Sequence, residues 1–239
     1  MAVIVINPYQ YAAPIGPETD ELFENVSLLL YGNGPNSSTI FTDSSLYDHT
    51  ITVTGSANIS TAQSKFGGSS MYFNGGYIRA ANSSEFAFGT GDFTVEAWLR
   101  GTGDFFETRT SISSPGNAGF GYTVSSNTIK IWDGQAANWV YNGSTTYDWT
   151  NWHHVAISRS GTTLRVFVDG SLDGTATTSR DLTAQGGIVG ANINKVLNVT
   201  GASVFSGYID DYRVTKGEAR YTSSFTPPAS SHTAHWDPY

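Results

Sequence analysis

Five aromatic residues carry the clearest chemistry in this sequence. Trp132, Trp139, Tyr141, Tyr147 and Trp149 fall within eighteen positions, among Gly, Asn, Ser and Thr. Flat aromatic faces with a few polar groups between them are how proteins hold sugar rings. Small polar residues around them suit an adaptable loop surface. These five are the candidate glycan-binding residues. They also fit a plainer role, with Trp132 and Trp139 packed as strand residues in a core.

Catalytic chemistry is harder to assemble. Glu96 is the lone acid of T-V-E-A-W. His153 and His154 are adjacent, and on a strand that sends the two rings to opposite faces, so they cannot share a metal ion. No G-x-S-x-G nucleophile pattern is present. The chain reads as a non-enzyme with no catalytic residue to assign.

Composition narrows the partners. The 239 residues carry 12 Lys and Arg against 20 Asp and Glu, a net charge of −8. Phosphate backbones need a positive surface, so nucleic acid is excluded as a partner. Cysteine is absent, which removes disulfides and thiolate metal sites. The opening M-A-V-I-V-I has no basic leader and is too short to span a bilayer. The expectation is a protein made in the cytoplasm, without a signal peptide and without membrane insertion.

The residues above must be positioned by strands. From Trp152 to Arg159, Val155 and Ile157 alternate with His154, Ala156 and Ser158, the period of a two-faced strand. Ser160-Gly161 turns the chain, Leu164, Val166 and Val168 resume the alternation, and Asp169-Gly170 marks a hairpin. Similar runs predict strands at Val26 to Tyr31, Thr50 to Thr54, Ala57 to Ser60, Ser69 to Phe73 and Tyr77 to Ala80. Further strands are expected at Phe93 to Arg100, Phe105 to Ile112, Gly119 to Val124, Thr128 to Trp132, Asn138 to Tyr141, Ile188 to Gly190 and Val204 to Val214. Lys216 to Tyr221 is expected to form one helical turn. About a dozen strands without a long helix predict an all-β, two-sheet antiparallel jelly-roll sandwich. The expected organisation is an irregular N-terminal arm over 1–24, the sandwich over 25–228 and a C-terminal tail over 229–239. Tyr9, Tyr11 and Trp236 are the apolar handles by which these arms would dock on a partner. A disordered terminus is the alternative for the first arm.

Five segments in order also carry a family resemblance. They are Val26 to Gly34 (V-S-L-L-L-Y-G-N-G), Ile59 to Ser69 (I-S-T-A-Q-S-K-F-G-G-S), Phe88 to Trp98 (F-G-T-G-D-F-T-V-E-A-W), the Trp152 hairpin, and Gly207 to Pro228 with I-D-D-Y-R-V-T-K-G-E-A-R-Y. On these, the chain resembles laminin-G-like domains, of the laminin-G-3 type, in the concanavalin A-like lectin/glucanase superfamily. Such domains occur in virion proteins of tailed bacteriophages. The resemblance implies a concanavalin A-like sandwich and places Trp98 and Trp152 in its framework. It implies a structural calcium ion at the sandwich rim, for which Asp210, Asp43, Asn33 and Asn74 are the matching candidates. Asn74 stands where the family often has Asp. Neighbours on a strand face opposite ways, so Asp210 and Asp211 are not expected to reach one ion, and the resemblance favours Asp210, whose match is the more regular Asp of the family's motif. Loop amides, Arg213 or Arg79 are its alternative partners. Hydrolases of the superfamily that resemble laminarinases carry Glu-x-Asp-x-x-Glu, which this chain lacks. The implied function is a structural or interaction module of a virion (a head-decoration, fibre or tail-associated protein), in contact with other virion proteins and with copies of itself. The alternatives are an adhesin that binds host-surface glycans and, behind it, a glycan depolymerase.

Overall fold

The computed structural model describes residues 20–108, 119–184, 186–189 and 204–233. Its strands form one antiparallel network folded into two layers. The first layer holds β1 (Val26–Leu30), β3 (Asn58–Ser60), β4 (Ser70–Asn74), β10 (His153–Ser160), β11 (Thr163–Val168), β12 (Ser171–Thr177) and β14 (Ser206–Lys216). The second holds β2 (Ile51–Thr54), β5 (Tyr77–Ala80), β7 (Phe120–Ser125), β8 (Thr128–Asp133), β9 (Asn138–Asn142) and β13 (Gly187–Val189). The long strand β6 (Phe93–Glu107) belongs to both. Phe93 to Thr102 pairs with β10 and β14, and Gly103 to Glu107 with β7 and β13. Two strands expected separately at Phe93 and Phe105 are thus one, and residues 109–112 of the second lie outside the described residues.

Glycine makes this crossover possible. Gly101 and Gly207 have φ of +143° and +140° and face each other across β6 and β14. A Cβ on Gly207 would stand 2.2 Å from the Arg100 carbonyl oxygen. Only a residue without a side chain permits that approach.

The expected alternation places the core. Val95, Ala97 and Leu99 of β6, Val155 and Ile157 of β10, and Leu164, Val166 and Val168 of β11 all join the central cluster between the layers. Burial of each such side chain stabilises the fold by about 2 kcal/mol. The opposite face of β6 and β10 is buried too. Glu96, Trp98, His154, Ala156 and Ser158 are covered, although nothing in their alternation requires it. The cover comes from the chain ends and from the Lys65–Phe66 turn, which lies over Trp98. Phe23 packs with Val26 and Leu29, Tyr221 and Phe225 stack at 3.6 Å over Phe167, and Phe225 lies against His154. The segment after Lys216 is irregular, without the expected helical turn, because its backbone follows the sheet surface: Gly217 N–H donates to the Asp92 carbonyl and Arg220 N–H to Thr94 Oγ1. Among the described residues no helix is long and apolar enough to cross a membrane.

Candidate functional site

The five candidate aromatic residues separate into two groups, and a β-bulge separates them. Ile131 faces Tyr141 across β8 and β9, but the next pair is Trp132 with Trp139, leaving Val140 as the extra residue. Cross-strand partners share a face, so Trp139 joins Trp132 on one side while Tyr141 joins Ile131 on the core side. Trp132 and Trp139 meet edge to face at 5.1 Å and both stay half-buried. Tyr141 and Trp149 are buried.

The second group is knitted together. The hydroxyls of Tyr141 and Tyr147 donate to the two carboxylate oxygens of Asp173, each at 2.7 Å. Burial, with the adjacent Asp173 carboxylate, pushes both phenols above their ordinary range. Trp149 Nε1 donates to the Asn127 carbonyl, and its ring lies 5.1 Å from His153, which bonds Asp169 at 2.7 Å. The polar handles of Tyr141, Tyr147 and Trp149 are occupied, and these rings serve as a clasp holding the 143–152 loop to the sheet.

The Trp139 side opens differently. A groove of about 600 Å³ runs between the β8–β9 turn and residues 177–181. Trp139, Asn138, Gln135, Asp133, Arg180 and Asp181 contribute to its walls. Asp133 fixes the turn: Oδ1 accepts the Gln135 and Ala136 N–H groups, both at 2.9 Å. This is the local side-chain bonding that makes Asp a turn residue. Its Oδ2 accepts Arg180 Nε at 2.8 Å, tying the two walls together. Behind them, Arg159 is 1% exposed and donates to the carbonyls of Gly89, Gly91 and Arg180. It lies 5.1 Å over the Phe93 ring. A buried cation is tolerated when its donors are spent in this way, and here they hold the 177–181 wall in place.

A polar network fills the covered face of the first layer. Arg213 forks onto Glu96 Oε1 at 2.7 and 2.9 Å, and Tyr221 donates to Oε2 at 2.8 Å. Burial alone would raise the Glu96 carboxyl, but the Arg213 charge overcomes it and holds the group well below its usual range. Asp20 bridges Arg213 and Arg220 at 2.8 to 2.9 Å and is likewise lowered despite burial. His232 N–H donates to both oxygens of Asp211. Burial drives the His232 ring down to about 3 and Asp211 up to about 7. A cleft of about 620 Å³ lies beside this network, but Asp20, Arg213 and Tyr221 on its wall are each already paired.

The expected opposition of Asp210 and Asp211 is not what the chain adopts. Asp210 faces Trp98 and Arg213 faces Glu96, so three steps on β14 match two on β6. The extra residue is Asp211, at φ +51°. This bulge turns both carboxylates to the covered face. Asp210 accepts the Lys65 and Phe66 N–H groups at 2.7 and 3.0 Å, and burial raises it to about 6.

The four calcium candidates do not form one coordination shell. Asn33 and Asp210 both border the turn at Lys65 to Gly67. Asp43 does not join them: its oxygens accept N–H from Leu29, Ser45 and His49, the Ser45 hydroxyl and the His49 ring. Asn74 pairs with Ser206, while Leu29, which binds Asp43, pairs with Arg213. At about 3.3 Å per strand residue those anchors stand roughly 20 Å apart. Calcium asks for six to eight oxygens around one point, and this set does not supply them. Among the described residues no group of three His, Asp or Glu is arranged to hold a metal ion. Tyr9, Tyr11 and Trp236 lie outside the described residues.

A family model for the concanavalin A-like lectin/glucanases superfamily, of the laminin-G-3 type, matches residues 73–220, more than half of the chain. The chain belongs to this family. No curated protein sequence matches this laminin-G-like domain. Among solved structures, it is similar to the binding domain of Paraclostridial mosquitocidal protein 1, with a TM-score of 0.60 at 13% identity over 84% of this chain and 51% of that one. It is similar to domain 4 of AbnA, a GH43 extracellular arabinanase from Geobacillus stearothermophilus, in complex with arabinotriose (0.59, 18%, 82% and 94%). It is also similar to the binding domain of botulinum neurotoxin DC in complex with SialylT (0.54, 12%, 82% and 49%). The chain spans about half the length of the two toxin fragments. At these identities the likeness is one of fold.

Sequence reasoning reached Trp139 in the laminin-G-like domain but missed Asp133, Gln135, Asn138, Arg180 and Asp181. One signal was available: D-G-Q-A-A-N after a strand is a turn whose leading Asp caps its own amides. Nothing local in 177–181 links it to that turn.

Proposed function

We propose that this domain is a non-catalytic, lectin-like module that binds carbohydrate in the groove between the β8–β9 turn and residues 177–181. The observation that carries this reading is the composition of the groove: a half-buried indole, Trp139, beside amides, hydroxyls and a carboxylate on walls held rigid by Asp133 and Arg159. Aromatic faces with a few fixed polar groups are the usual means of holding a sugar. A rigid wall lowers the ordering cost of binding. The fully engaged oxygens of Asp133 favour a binding role over general acid–base work, since a catalytic carboxylate must reach the substrate. The carbohydrate partners named with two structural neighbours agree with this direction.

The test is a glycan array with the whole chain. Trp139→Ala should reduce binding of any hit at least tenfold while leaving the melting temperature nearly unchanged. Tyr147→Phe, in the clasp, should leave binding intact. Equal binding by Trp139→Ala would move the site elsewhere.

The virion setting implied by the family resemblance is part of the same proposal. The domain would be displayed on a tailed-phage particle, with host-surface glycans as ligand and other virion proteins and further copies of itself as neighbours. The described ends of the chain support it, because both are fastened on the covered face of the first layer and leave the groove walls clear. Mass spectrometry and cryo-EM of purified particles would test it. Absence of the chain from the particles would remove this setting without touching the carbohydrate reading.

A further inference from the structure

We propose that Asn74 is a site of spontaneous deamidation, singled out by the fold from three Asn-Gly steps. The sequence holds these steps at Asn33-Gly34, Asn74-Gly75 and Asn142-Gly143. All three asparagines are exposed. In such a step the backbone nitrogen after the asparagine gives its proton to water and attacks the side-chain Cγ. The Cγ–N bond breaks, the amide nitrogen takes up a proton and leaves as ammonia, and a five-membered succinimide remains. Water then opens the ring at either carbonyl, giving aspartate or isoaspartate. Glycine leaves the attacking nitrogen uncrowded, but that nitrogen must also be free to move.

Two of the three are not free. Gly34 N–H donates to Ser69 Oγ at 3.2 Å, and the Asn33 side chain lies against Gly67. Gly143 N–H donates to the Ile129 carbonyl at 3.0 Å, with Asn142 paired to Lys130 in β9. Gly75 N–H meets no acceptor among the described residues. Gly75 is exposed, and a Cβ there would meet only Ser56 Oγ, at 3.9 Å. Ser56 Oγ donates instead to the Asn74 carbonyl. A donor on that oxygen stabilises the deprotonated amide, and so helps the nitrogen lose its proton.

The position gives the product a consequence. Asn74 ends β4 in the first layer, and Tyr77 begins β5 in the second. Gly76, between them, is packed so closely that a Cβ would stand 2.5 Å from the Ser56 nitrogen. Isoaspartate adds one methylene to the main chain at this corner, where backbone already touches backbone. Conversion of Asn74 therefore loosens the joint between the layers.

The experiment keeps the whole chain at about pH 9 and 37 °C, folded and in guanidinium chloride, and follows each step by peptide mass spectrometry. In the folded protein Asn74 should convert roughly tenfold or more ahead of Asn33 and Asn142, since a bonded amide must first open. In denaturant that lead should vanish. Asn74→Gln, an exposed change whose larger ring closes slowly, should remove the early product. The incubated parent chain should lose several degrees of melting midpoint, while incubated Asn74→Gln keeps its own. No conversion at Asn74, conversion of Asn33 or Asn142 as fast in the folded chain, or a lead of Asn74 that survives in denaturant would each overturn the assignment. A converted chain with an unchanged midpoint would overturn the loosened joint.

Discussion

Asp211 shows how much a single residue can ask of its surroundings. Its carboxyl is buried, it rests on one backbone N–H, and Asp210 lies beside it on the same face. Burial raises it from about 4 in the unfolded chain to about 7 when folded, and Asp210 to about 6. The folded protein therefore holds these protons more tightly than the unfolded chain does. The stability they contribute is complete below pH 4 and is lost as pH rises through 6 and 7. Glu96 and Asp20 act with the opposite sign: both are lowered, so their contribution is present above about pH 4.5 and lost on further acidification. His232, driven down to about 3, also acts against the two raised carboxyls: its contribution is present above about pH 6.5 and is lost as pH falls below it. Two raised carboxyls outweigh this one imidazole, so thermal stability should fall overall from about pH 5 toward pH 8. Asp211→Asn should remove much of that fall, raising the midpoint at pH 8 by roughly 5 °C, as a gain on the order of 2 kcal/mol would do in a domain of this size. Calorimetry from pH 4 to 9 checks this, and a flat profile in the parent chain would refute it.

At the scale of strands, regular pattern was legible and its interruptions were not. The β10–β11 hairpin could be read directly. Its alternating Val, Ile and Leu residues are core, and Asp169 and Gly170 take the positive φ values, 50° and 75°, that a two-residue turn needs. The Glu96 face of β6 could be read as a face but not as a buried one, because its cover comes from segments distant in the chain, among them Phe23, Lys65, Phe66, Tyr221 and Phe225. Bulges escaped altogether. One extra residue at Val140 sends Trp139 and Tyr141 to different sides, and one at Asp211 brings two acids to the same side, and neither leaves a mark in a period-two pattern. The candidate site was legible only where it used Trp139, since the groove joins segments about 40 residues apart. The β6–β14 crossing yields a sharp expectation. Gly207→Ala places a Cβ against backbone rather than a movable side chain, and should cost more than about 3 kcal/mol in urea unfolding. Ser206→Ala, next to it on an exposed position, should cost almost nothing; equal costs would dismiss the packing argument.

For the molecule as a whole, the terminal segments behave as straps more than as loose arms over the residues described. Asp20 locks the first to Arg213 and Arg220, and His232 locks the second to Asp211. Ending the chain at Pro228 should uncover Asp211 and lower the melting midpoint by several degrees. It should also speed cleavage by trypsin, while neither should affect glycan binding in the distant groove. An unchanged midpoint would mean that the strap carries no stability of its own.

The pairing of β1 with β14 has a mechanical meaning. Val26 faces Thr215, so the first and last strands run antiparallel and the chain leaves both from the same end. A pull on the two termini would not slide these strands past each other, loading many bonds at once. It would peel them apart from that end, one hydrogen bond after another, after first stripping Asp20 and His232 from their partners. Held by both ends in tension, the domain would give way at low force. Held by one end, with load arriving through a bound ligand, it would keep this weak seam out of the line of force.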